Sequence, residues 1–142
     1  MITITPAQLK KIAEENIYGF KTFINKTNSE VLTVPNVQLA NVDTTNFLEA
    51  LNKIALAPND YFEIAFMNGQ EAFKIMESFA NSNIIENSQQ LRLKNALAGA
   101  GAFGNFKRII EIADFKNDWF KFKLQADMAF VETQVNQFNA SL

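Results

Sequence analysis

The chain has 142 residues, 48% of them hydrophobic and 20% charged, with a net charge of −2 and neither cysteine nor histidine. Such a length forms one domain with its own core. The missing residue types exclude disulfides, imidazole or thiolate metal sites and Ser-His-Asp chemistry, and the weak acidity gives the whole molecule no drive toward nucleic acid or an anionic membrane.

The opening residues, Met1-Ile-Thr-Ile-Thr-Pro6, carry neither the basic end nor the apolar run of a signal peptide. No apolar stretch approaches the ~18 residues that cross a bilayer. The expectation is a soluble cytoplasmic protein with no membrane partner. Residues 6 to 18 then read as a helix. Thr5 caps it, Pro6 suits its first position, Leu9, Ile12, Ala13 and Ile17 share a face, and Gly19 ends it.

Residues 19 to 24 and 31 to 34 are rich in β-branched and aromatic residues, and Asn25 to Glu30 between them is polar, so they predict a hairpin. Its alternation leaves open which face is buried. A loop is expected over 36 to 43, with Asp43 or Thr44 as the cap of a second helix. There Phe47, Leu48, Leu51, Ile54 and Ala55 form a stripe that ends at Pro58-Asn59-Asp60. Residues 61 to 66 alternate weakly and predict a third strand, with a turn at Asn68-Gly69.

From residue 70 the chain reads as helical. One helix carries Ala72, Phe73, Met76, Phe79 and Ala80. A second, capped by Ser88, carries Leu93, Ala96, Leu97 and Ala100. A third carries Phe103, Phe106, Ile109, Ile110 and Ala113. The last begins near Asn117-Asp118 and bears two stripes. Trp119, Phe122, Ala126, Phe130 and Thr133 form one, and Phe120, Leu124, Val131, Val135 and Phe138 the other. That width implies a helix packed on two sides or shared with a partner. The fold class is α+β, mainly helical. About six helices accompany a small three-stranded antiparallel sheet in the N-terminal half. One domain spans 1–142, with a mixed part at 1–67 and an all-helical part at 68–142.

Gly99 to Gly104 spell the G-x-G-x-x-G of a dinucleotide loop. That fingerprint needs a strand before it and an acidic residue ~20 positions on. Here Leu91 to Ala98 reads as helix, so the glycines are expected to end one helix and to allow a close approach or tight start in the next. No cofactor is expected. A second pattern interleaves aromatic and basic residues. It makes Phe103, Phe106, Lys107, Arg108, Trp119, Phe122 and Lys123 a candidate binding edge, since rings stack on bases or apolar partners while cations meet anions. Residues 103 to 123 also hold Glu111, Asp114 and Asp118, so nucleic acid is the weaker partner. Asn117 and Asp118 are expected as helix caps, and no metal site is expected.

The succession M-E-x-F, an L-x-x-A-L helix, G-A-F-x-x-F-K and W-x-x-F resembles the bacterial set known as Uncharacterised Protein Family 0158. The matching positions are Met76, Glu77, Phe79, Leu93, Ala96, Leu97, Gly101, Ala102, Phe103, Phe106, Lys107, Trp119 and Phe122. Gly104 and Asn105 stand where that family often has arginines, and Phe130 where it tends to have a late tryptophan. The resemblance implies an architecture and no reaction. It also accounts for Gly101-Ala-Phe103 as a helix junction. The leading expectation is a non-catalytic binding or regulatory module recognising a protein partner or a second copy of itself. The alternatives are nucleic-acid binding through the aromatic-basic edge, and an enzyme that gathers Glu63, Glu77 or Asp114 with a lysine.

Overall fold

The computed structural model describes residues 1–36 and 43–142, so the loop read at 36 to 43 lies outside them except for its end residues. Among the described residues six α-helices accompany one three-stranded antiparallel sheet, the α+β architecture expected. The chain divides into two compact units, Met1–Phe66 with Asp127–Leu142, and Met67–Ala126. The last helix contributes residues to both.

In the first unit α1 spans Pro6–Ile17. Thr5 Oγ1 accepts from the Gln8 amide at 3.1 Å, and Gln8 Oε1 accepts from the Thr5 amide at 2.9 Å, which closes a capping box. Leu9, Ile12 and Ala13 are buried, whereas Ile17 in the last turn is exposed. Strands β1, Lys21–Asn25, and β2, Val31–Val34, pair in antiparallel register with Ile24 opposite Val31. Asn25 and Asn28 side chains fold the connection by accepting amides two and three residues on. Ser29 takes the left-handed conformation there. The buried face of β1 is that of Thr22 and Ile24.

The third strand, β3, is shorter than expected, Tyr61–Glu63, and pairs with β1, giving the order β2-β1-β3. Beyond it a side chain replaces a strand neighbour. Gln134 accepts from the Ala65 amide at 2.8 Å and donates to the Ala65 carbonyl at 3.2 Å. Asn139 treats Ile2 the same way, at 2.8 Å for each bond. The core of this unit is Ile2, Leu9, Ile12, Ile24, Ile64, Val131 and Val135.

Helix α2, Leu48–Leu56, follows a 3₁₀ turn at Thr45–Phe47. No side chain caps either segment. Asp43 instead accepts from the Thr45 amide and hydroxyl. Although amphipathic in sequence, α2 has no buried residue. Leu51 and Ile54 are half-buried, and Leu48 and Leu56 are exposed.

Thr22 is the one buried polar residue in the described core, and its hydroxyl has no hydrogen-bond partner. An unpaired buried hydroxyl costs stability. Thr22→Val keeps the shape and is expected to raise unfolding stability by about 1 kcal/mol in urea denaturation. A loss of stability would mean that the hydroxyl makes a bond to water.

The second unit begins at α3, Gly69–Ala80. The expected turn at Asn68-Gly69 is instead its N-cap. Asn68 Oδ1 accepts from the Glu71 amide at 2.8 Å, and Glu71 Oε1 accepts from the Asn68 amide at 3.0 Å. Helix α4 spans Asn87–Ala98, with Glu86 at the cap position and no side-chain capping bond. Ser88 lies within its first turn and does not cap it. Helix α5, Ala102–Ile112, and helix α6, Lys116–Ala140, complete the chain. Because α6 starts at Lys116, Asn117 and Asp118 sit inside its first turn rather than at the cap. Asp118 there faces the positive end of the helix dipole.

The core of the second unit is aromatic. Phe79 lies 5.3 Å from Trp119, 5.3 Å from Phe122 and 6.0 Å from Phe115, ring centre to ring centre. Trp119 meets Phe106 edge-on at 4.9 Å. Such pairs each contribute about 0.5–1.5 kcal/mol beyond burial. Met76, Ile85, Leu93, Leu97 and Ile110 fill the space around them. Position along α6, rather than stripe, decides which core a residue joins. Trp119 and Phe122 of the first stripe enter this core, and Val131, Val135 and Phe138 of the second enter the core of the other unit.

Candidate functional site

The aromatic-basic edge is divided by packing. Phe106 is 0% exposed and Trp119 8%, and Phe122 packs against the same core. Phe103 is 42% exposed, with its ring 6.4 Å from that of Phe73. Helical spacing explains the difference. Phe106 and Ile110 define the inner face of α5, and Phe103 falls at its margin. Lys107 and Arg108 are exposed and Lys123 is half-buried. Three of the seven residues, Phe103, Lys107 and Arg108, thus stand together on the outside of one helix. A platform for stacking bases needs several free rings, and α5 offers one.

Arg108 is turned back along its own helix. Its Nε donates to the Gly104 carbonyl at 3.4 Å, and its Nη2 donates to the Asn105 side chain. Asn105 in turn donates to the Ala100 carbonyl at 3.2 Å. No carboxylate pairs with Lys107 or Arg108, although Glu111 lies within one turn of both. Ile112, absent from the sequence-based edge, is 77% exposed on the same helix. Its spacing from Phe106 and Ile110 was the available signal.

The glycines resolve without a cofactor. Gly99 ends α4 in extended conformation, and Gly101 precedes α5 with φ +71°. That left-handed geometry favours glycine. Gly104 has ordinary helical geometry, and a Cβ placed on it would meet nothing within 4 Å. Of the two roles expected of it, a close approach does not occur among the described residues, and Gly104 lies in the first turn of α5. Leu91 to Ala98, before the loop, is helix, as expected.

The carboxylates named for acid-base work stand apart in their surroundings. Glu63 pairs with Lys21 at 3.3 Å across β3 and β1. Glu77 and Asp114 are exposed in the second unit. Among the described residues no group of three or more Asp or Glu is placed to hold a metal ion. Asp43 is held below the usual carboxylate range by the Thr45 hydroxyl and then by the Thr45 amide. It is a turn-forming group at the surface. A cavity of about 230 Å³ in the first unit is walled by Ile2, Ile4, Leu9, Val135, Glu132 and Asn136, among others. Its remaining amide, Asn139, is committed to Ile2. No described helix is long and apolar enough to cross a membrane.

The helix junction at Gly101-Ala-Phe103 and the Phe79–Trp119 core fit the family resemblance, and the match extends well beyond them. The model of the Uncharacterised protein family (UPF0158) covers residues 12–136. The chain belongs to this family. No curated protein and no solved structure matches it. UPF0158 is an uncharacterised family, so the activity is argued from this chain's own surface.

Proposed function

We propose that this protein is a non-catalytic binding or regulatory module that works through protein–protein contacts, with another protein or a second copy of itself as partner. The supporting observation is the outer surface of α5. Phe103 and Ile112 are exposed there beside Lys107 and Arg108, cations without carboxylate partners. Single exposed apolar residues are ordinary on any protein. Apolar and unpaired charged groups gathered on one helix are the usual makings of an interface with a polar rim. The last helix lends less support than its sequence promised, because Trp119, Phe122, Met128, Val131, Val135 and Phe138 join the two cores, and Phe120 is its large exposed ring.

Photo-crosslinking tests the reading. A benzophenone side chain replaces Phe103 or Ile112, with Lys10 on α1 as control. A discrete protein adduct is expected from positions 103 and 112, absent from position 10 and lost when Lys107 and Arg108 are both changed to Glu. Doubling of the chain's mass identifies self-association. Adducts no different from the control end the proposal.

A further inference from the structure

Positions 104, 107, 108, 111 and 112 form the side of α5 that turns away from Phe106 and Ile110, and Phe103 lies at its edge, against Phe73. Gly104 lies in the middle of that side. Its backbone is ordinary helix, and among the described residues no atom lies within 4 Å of the place of its missing Cβ. Neither conformation nor packing within the chain calls for glycine there. Glycine nevertheless weakens a helix relative to alanine. A local rule broken without internal compensation points to something outside the chain.

Charge indicates what that is. The unit Met67–Ala126 holds eight cations and six carboxylates, net +2, whereas the other unit holds five and nine, net −4. In the other unit Lys10, Lys11, Lys21 and Lys53 each stand 3.3–3.9 Å from a carboxylate. Lys107 and Arg108 have no such partner. The excess favours an anionic occupant, and Phe103 and Ile112 favour one with apolar side chains. A nucleic-acid strand would meet a single ring there.

We infer that the outer face of α5, centred on Gly104, docks an acidic, apolar segment of a partner protein, an inference that rests on the protein-binding reading above. The absent Cβ lets the segment lie close to the helix. Phe103 and Ile112 cover its apolar side chains, and Lys107 and Arg108 pair with its carboxylates.

The probe is a short fluorescent peptide with Glu and Leu at helical spacing, followed by anisotropy in low-salt buffer against the full chain. Binding is expected, and it weakens about tenfold when Lys107 and Arg108 are both changed to Glu. Gly104→Ala separates docking from folding. It is expected to raise the melting temperature by about 3–5 °C while weakening the peptide several-fold. Equal binding of a Lys/Leu counterpart overturns the inference, as does unchanged or tighter binding by Gly104→Ala. Displacement of the peptide by an oligonucleotide of matched charge also overturns it and makes the face a phosphate site. If the peptide fails while crosslinks still form at 103 and 112, the inference falls and the protein-binding reading stands.

Discussion

Phe79→Ala is expected to remove about 3–5 kcal/mol of stability. The ring is fully buried and lies within 6.0 Å, centre to centre, of three other aromatic rings. Its loss leaves a cavity walled by Phe115, Trp119 and Phe122, whose rings are fixed by other contacts and collapse only in part. A small domain is stable by about 5–15 kcal/mol in all, so this one change consumes a large share. Urea denaturation followed by circular dichroism should show a lowered midpoint. Phe79→Leu, which removes less volume, should fall between the two. A loss below about 1 kcal/mol would show that the aromatic cluster does not carry the stability of this unit.

The second large effect is expected at Ile24→Ala, at about 2–5 kcal/mol. Ile24 is 0% exposed in the central strand, opposite Val31 on one side and Phe62 on the other. It belongs to one buried cluster with Ile12, Val131 and the rest of that unit's core. Leu56→Ala is the matched control. Leu56 is a large apolar residue left 86% exposed on α2, so its truncation should change stability by no more than about 0.5 kcal/mol. Equal losses at the two positions would contradict the burial described.

The elements that were legible in the sequence are those written locally. Thr5, Pro6 and Gln8 state where α1 begins, and spacing alone puts Met76, Phe79 and Ala80 on one face. The same local reading failed at Asn68-Gly69, because Asn-Gly suits both a turn and a cap. Glu71, three residues on, was the deciding sign. The shortened β3 had no local sign at all. It gives way to Gln134, a partner 69 residues along the chain. The candidate site shows the same limit. Periodicity groups Phe103 with Phe106, and only packing separates a ring at the margin of a face from one at its centre.

Trp119 is the chain's single tryptophan, and it lies within the aromatic core of the helical unit. Its emission therefore reports the solvent exposure of that unit alone, whereas the far-ultraviolet signal sums the helices of both. Overlaid fluorescence and dichroism curves test whether the two units melt in a single cooperative step. The protein carries a built-in optical reporter for one half of itself.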